Sequence, residues 1–310
     1  MRPTREPHSK IGSIRARLLA PAREVTLQEL AARWFMSTIE ARVEAYGKLV
    51  GDHGLPGRIR GAFGAALAAG ASPESLSGSP CPFDPQCAFE ALFRKQGRMS
   101  SGLDFPSPWV IGVRPVRADL LVTLTVFGFA TDWIAAGSEA FTRALLELVD
   151  WHGQTGLYLP SPRVTTRVLR SATGVVPSPA ARRAELEFLS PLVLANADPR
   201  ERPSSLLTGL GARISGLARW HDVSVDRLTD WKTLKARAAA LDYSFEDIEL
   251  CKWARGSTRQ DRHIPMSGML CRLGIEGDLG ILTILLTLGE TSFMGGDTAF
   301  GCGRYRVVYA

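Results

Sequence analysis

Lysine is scarce in this chain: of 37 basic residues only six are lysine, so arginine carries nearly all the positive charge. Two causes produce such a bias. Arginine's planar fork binds phosphate bidentately and stacks on bases, which an ammonium does less well; a GC-rich genome also exchanges lysine for arginine. Cysteine is sparse too. Five cysteines, Cys81, Cys87, Cys251, Cys271 and Cys302, are odd in number and scattered, which argues against a secreted disulfide framework. No apolar run reaches the ~18 residues of a bilayer span, so no membrane partner is expected. Met1 to Glu6 has no apolar stretch behind it, which reads as the lack of a signal peptide and sets the expectation of a cytoplasmic protein. No low-complexity segment is present.

What is there is an ordinary globular composition: 310 residues, 45% hydrophobic and 22% charged, enough for two domains that each bury a core. The net charge of +6 and pI near 9.3 favour a polyanionic partner without naming one. Residues Ile14 to Leu19 alternate and predict a half-buried strand. Thr26 and Glu29 form a capping-box pattern, with Val25 and Leu30 as a hydrophobic staple, so a helix is expected from Thr26 to about Lys48. Arg23 stands just before it, and Arg33 and Arg42 fall on its polar side. A second helix, Leu55 to Leu67, carries Arg58 and Arg60 in its first turns, where cations oppose the helix dipole; a rule broken this way hints at contact with an anion.

Strands follow at Pro108 to Val116, Leu120 to Phe129 and Arg163 to Leu169, with a helix between the last two at about Trp133 to Asp150. The Gly- and Pro-containing stretch Ser171 to Arg183 reads as a boundary, giving expected domains of 1–176 and 177–310. The second half predicts a strand at Glu185 to Leu194, helices at Ser204 to Trp220 and Val225 to Leu241, and strands at Tyr243 to Ala254 and Met266 to Ile275. A helix at Leu279 to Leu288 and a final strand close it. Strand, helix, strand, strand, helix, strand is the ferredoxin-like order. The expected fold class is α+β, tandem ferredoxin-like domains with a helical insertion in the N-terminal half.

Two stretches carry chemistry. Gly289 to Gly303 holds five glycines in fifteen residues, and Arg304 and Arg306 follow. Close backbone approach and exposed amides would make an anion nest there, although a glycine-rich turn between core strands has the same composition. Arg255 to His263 is a basic segment. Cys81 and Cys87, six apart, do not complete a four-ligand zinc site and read as structural.

These segments resemble a known family. Gly268 to Leu279, Leu288-Gly289-Glu290 and Gly295-Gly296-Asp297-Thr298-Ala299-Phe300-Gly301-Cys302-Gly303-Arg304-Tyr305 are similar to the end of the CRISPR repeat-RNA processing endoribonucleases of the RAMP superfamily. Arg60-Gly61-Ala62-Phe63-Gly64 resembles that family's Arg-Gly-Ala-Leu-Gly segment. Cys81 to Phe93 resembles its Cys-rich stretch, and Trp253 to Gln260 its aromatic-x-Arg-x-Ser-x-Arg-Gln stretch. The matches occur in the family's order and touch both halves. The thinned cysteines and the extra N-terminal helix depart from the pattern and suggest a divergent, minimal, type IV-like system.

The resemblance implies two ferredoxin-like domains with RNA lying across them. It also implies cleavage of precursor crRNA without metal or cofactor, by attack of a 2′-OH on the adjacent phosphate, leaving a 2′,3′-cyclic phosphate. The implied partners are CRISPR precursor RNA, mature crRNA and other effector-complex subunits. A non-catalytic RNA-binding subunit of the same superfamily is the first alternative, and an unrelated basic interaction module the second. Such cleavage needs an in-line nucleophile, a base and charge on the phosphorane. His53 is placed as the base, since it precedes the Arg-Gly-Ala-Phe-Gly segment. A site built on arginine is the competitor, with Arg23 preferred and Arg33 and Arg42 second. RNA binding is expected from Arg33, Arg42, Arg58, Arg60, Arg255, Arg259, Gln260, Arg262 and Arg304, with Gly295, Gly296, Gly301 and Gly303 cradling phosphate.

Overall fold

The computed structural model describes residues 13–100, 102–152, 161–172, 181–193, 198–257 and 262–310. It opens with helix α1 (Ile14–Leu19), a two-residue strand β1 (Arg23–Glu24) and helix α2 (Leu27–Arg33). The strand expected at Ile14 to Leu19 is thus a helix. Ile14 and Leu18, one helical turn apart, are buried, Ala16 is exposed, and Ser13 accepts from the Ala16 amide. Over six residues, alternation and an i,i+4 pair are hard to tell apart. The capping box at Thr26 and Glu29 forms as expected, with Val25 and Leu30 buried beneath it.

The helix expected to reach Lys48 stops at Arg33, and strand β2 (Phe35–Val43) begins almost at once. From Ser37 onward every second residue is buried, so period 2 replaces period 3.6. The first strand of the sheet is therefore 35–43. The added helices α1 and α2 precede it instead of interrupting the unit behind it.

After β2 come α3 (Leu55–Ala68), the short helices α4 (Pro73–Ser77) and α5 (Ala88–Leu92), and a small hairpin of β3 (Arg98–Ser100) and β4 (Leu103–Asp104). Then β5 (Trp109–Val116), β6 (Asp119–Phe127), α6 (Ile134–Arg143) and β7 (Val164–Ala172) complete an antiparallel sheet ordered β5-β6-β2-β7. Within the unit this is second, third, first, fourth, the ferredoxin-like arrangement. Ile39, Ala41, Val122 and Leu124 face Phe63 and Phe141 from α3 and α6 in one dry layer. Each large side chain buried there contributes about 1.5–3 kcal/mol.

The second unit repeats the plan: β8 (Arg183–Phe188), α7 (Ser204–Trp220), β9 (Val223–Ser224), α8 (Trp231–Ala239), β10 (Asp242–Ser257), β11 (Arg262–Glu276), α9 (Leu282–Ser292) and β12 (Tyr305–Tyr309). Its sheet runs β10-β11-β8-β12, again second, third, first, fourth. The helix expected over Val225 to Leu241 starts only at Trp231. Asp230 fixes that start by accepting from the Thr233 amide at 3.0 Å, while Val225 is buried ahead of it. The expected boundary between 176 and 177 lies outside the described residues.

Among the described residues the units touch at two places. At one, β1 pairs in parallel with β9, Arg17 meets Asp222 at 3.3 Å, and the Trp220 indole donates to the Pro106 carbonyl at 3.1 Å. At the other, the start of α3 and the edge of β5 meet β10 and the turn before β12.

Candidate nucleic-acid interface

The second junction forms a cleft of about 320 Å³, lined by His53, Pro56 and Val113 from the first unit and by Pro191, Phe300 and Gly301 from the second. Its first wall is set by Asp52. That carboxylate accepts from the Gly54 amide at 2.9 Å and from the Arg58 guanidinium at 2.5 Å, and Arg58 also donates to the Asp150 carbonyl at 2.8 Å. His53 is held inside this brace. Strand β10 forms the second wall and lies so near that a Cβ on Gly54 would sit 3.4 Å from the Ala254 carbonyl. The His53 and Trp253 rings meet edge-on, with centroids 5.9 Å apart.

Beside them lies a ladder of cations and rings. Arg60 stacks over Phe93 at 4.8 Å and over Phe300 at 4.4 Å, and Arg255 covers Phe300 at 4.5 Å. Such contacts are worth about 0.5–2 kcal/mol each. The two guanidinium groups thus come from opposite units and clamp one ring. Neither is within ion-pair distance of a carboxylate among the described residues, and the Nε of each is buried with no hydrogen-bond partner. Burial, then repulsion from Arg255, holds Arg60 below the ordinary arginine value, with Asp297 partly offsetting both. Two like charges with N–H groups to spare are matched by an anion carrying several acceptors, such as a phosphate.

Arg304 is mostly committed to the junction itself. Its backbone amide donates to the Ser190 hydroxyl at 2.9 Å and its guanidinium to the Val113 carbonyl at 3.1 Å. Burial, then Arg114 and Arg306, lowers its basicity. The glycine loop also differs from the expected nest. The amides of Gly296, Gly301 and Gly303 donate to Val193, Thr298 and Pro191 carbonyls, so they are closed to a phosphate. Gly295 and Gly303 have φ of 86° and 74°, and a Cβ on them would lie 2.6 Å from the Val193 oxygen and 1.7 Å from the Met294 oxygen. These glycines serve close backbone approach, and their loop aims Phe300.

The structure therefore brings His53, Arg58, Arg60, Arg255 and Arg304 to one junction. It does not bring Arg23 there. Arg23 pairs with Val223, next to the start of β2 where Trp34 and Phe35 enclose His221, whereas His53 lies past the other end of that strand. Nine strand residues span roughly 25 Å. Arg33 ends α2 near the Arg23 end, and Arg42 is ion-paired to Asp119 on the exposed face of the first sheet. Arg259 and Gln260 lie outside the described residues. Arg262 starts β11 opposite Ser257, with its side chain outside the described set.

The aromatic members Phe93, Trp253 and Phe300 are not among the site residues expected from the sequence. Phe300 sits in the glycine loop and Trp253 two residues before Arg255, so each was adjacent to a recognised signal. The pairing of Phe300 with Arg60 across some 240 residues of chain, and of Trp253 with His53 across some 200, has no local signature.

No family model and no curated protein matches this sequence. Solved structures share its fold. Thermus thermophilus Cas6 is 14% identical, with a TM-score of 0.52 over 89% of this chain and 99% of its own. Two Cas6 product complexes reach the same TM-score at 18% and 15% identity, each over 88% of this chain and over 100% and 99% of theirs. The fold is Cas6-like: two successive ferredoxin-like units, with α1 and α2 ahead of the first sheet. Among the described residues no helix is long and apolar enough to cross a membrane.

Proposed function

We propose that this protein binds CRISPR repeat RNA across the junction of its two units and cuts the precursor there, with no need for metal. The observation that carries this reading is the pair Arg60 and Arg255. Two half-buried guanidinium groups without carboxylate partners, one from each unit, are clamped on Phe300 beside a histidine. Elsewhere in the described chain arginines commonly meet acids, as Arg42 meets Asp119 and Arg167 meets Glu40. The Cas6-like fold, seen in solved product complexes of Cas6 proteins, supports the same reading.

In this scheme Arg60 and Arg255 hold the RNA backbone and neutralise charge that builds on the scissile phosphate. His53 takes the proton of the attacking 2′-OH, a role suited to imidazole near neutral pH. Attack forms the 2′,3′-cyclic phosphate and releases a 5′-OH. We place His53 ahead of Arg23 because His53 lines the cleft and Arg23 lies a strand's length away. The product crRNA stays bound and enters an effector complex with other CRISPR subunits. Units of 1–176 and 177–310 form the two sides of this interface.

Incubation with the cognate repeat RNA in EDTA tests the scheme. It predicts one cut, abolished by a 2′-deoxy nucleotide on the 5′ side. His53→Ala should slow cutting by roughly 10²–10⁴-fold while leaving RNA affinity nearly unchanged. Tight binding with no cut would instead assign the chain as a non-catalytic RNA-binding subunit.

A further inference from the structure

Cys81 and Cys87 lie away from the cleft, on the loop that leads into α5. Cys81 is 6% exposed and Cys87 is half-buried. The Cys87 amide donates to the Cys81 sulfur at 3.2 Å. The Cys87 thiol also reaches the Ser75 hydroxyl, 3.6 Å away, and Ser75 in turn donates to Glu90 at 2.8 Å. The loop thus folds back so that the Cys81 sulfur lies against the backbone of Cys87, six residues further on. A zinc site needs four ligands, and among the described residues no group of three or more histidines, cysteines or acids gathers to supply them.

Cys81 is also set apart from the buried thiols elsewhere. Burial opposes ionisation of Cys81, but the amides of Cys87 and Phe83 and the side chains of Ser72 and Cys87 outweigh it and hold the thiol below its ordinary value. At Cys251, Cys271 and Cys302 burial acts largely unopposed. It raises the first, and pushes the second and third up to about 11 and about 12. Thiolate character and access decide which thiol reacts.

We propose that Cys81 and Cys87 form an oxidant-sensitive thiol pair that closes into an intrachain disulfide, with a peroxide as the oxidant. Hydrogen peroxide transfers one oxygen to the more accessible Cys87, giving Cys87 sulfenic acid and water. The Cys81 thiolate then attacks that sulfur. The S–S bond forms, the S–O bond breaks, and hydroxide leaves and is protonated to a second water. In sum, two thiols lose two hydrogens and one peroxide becomes two waters. Reduction by an external dithiol reverses the bridge.

Peptide mapping tests this on the intact protein. After mild hydrogen peroxide treatment, the chain is denatured, alkylated and digested with trypsin, which leaves both cysteines in the single peptide Gly61 to Arg94. The proposal predicts that this peptide loses both alkylation sites, is lighter by two hydrogens, and regains both sites after dithiothreitol. Cys251, Cys271 and Cys302 should stay alkylatable in the same sample. Cys81→Ser should abolish the bridge and leave Cys87 as a dimedone-reactive sulfenic acid, a readout independent of whether RNA binds. Recovery of both sites alkylated while the other cysteines oxidise would overturn the proposal. So would separate sulfinic acids with no bridge.

Discussion

His221 shows how far one side chain can be displaced from its solution chemistry. Its ring stacks on Trp34 with centroids 4.5 Å apart and meets Phe35 edge-on at 4.9 Å, and neither ring nitrogen has a hydrogen-bond partner. Burial pushes its pKa down to about 3. The unfolded chain therefore binds a proton between about pH 6.5 and 3 that the folded chain does not. Stability from this residue is full above pH 6.5 and is lost as pH falls, by about 1.4 kcal/mol per unit once below pH 6. Urea unfolding at pH 7 and pH 5 should show this loss in the natural protein, and a clearly smaller one in His221→Phe, which keeps the stack. An equal loss in both would place the acid sensitivity elsewhere. Nothing local in the sequence marks His221, because the ring's burial depends on Trp34, 187 positions upstream.

Among the elements, the loop between α9 and β12 does the most to shape the cleft. Met294 and Gly303 are tied by an amide-to-carbonyl bond at 2.9 Å, Gly303 donates to Pro191 at 2.9 Å, and the turn between them presents Phe300 to both arginines. Gly303→Ala would push a Cβ into the Met294 carbonyl at a positive φ. It should cost roughly 3 kcal/mol or more in urea unfolding. Gly51→Ala, where a Cβ meets nothing within 4 Å, should stay within about 1 kcal/mol of the natural chain. The composition of this loop fitted both a phosphate nest and a core turn, and only the destinations of its amides separate the two.

Elements with one sustained period were legible. Ser204–Trp220 has the expected limits, β5 and β6 fall close to the strands expected at Pro108 to Val116 and Leu120 to Phe129, and β12 closes the chain as expected. The N-terminal region was not. Between Arg33 and Phe35 the chain passes from helix to strand with only Trp34 between, and no Gly or Pro marks the change. What decides it is which side chains the sheet buries, a tertiary fact. Of the site, Arg60 and Arg255 were legible as basic residues in marked segments; that they share one phenyl ring was not.

Over the whole molecule, charge is sorted by pairing more than by number. On the open face of the second sheet Arg272 meets Glu185, Glu246 and Asp247, and Arg306 meets Glu187. Such exposed pairs add little stability, typically 0–1 kcal/mol, but among the described residues they leave that face without a free cation row. The cleft has the opposite character, with guanidinium groups placed against rings. Electrostatic attraction of RNA should therefore focus on the junction of the two units, and the opposed arginines should act together because a single phosphate run can span them.

The most direct test is the salt dependence of repeat-RNA binding, measured for the natural protein and for Arg60→Gln with Arg255→Gln, both confirmed folded by circular dichroism. If the junction holds the RNA, the double variant should bind roughly 10²-fold more weakly near physiological salt. The slope of log affinity against log salt should also become shallower by roughly 1–2. Unchanged affinity and slope in the folded double variant would contradict an RNA site at this cleft.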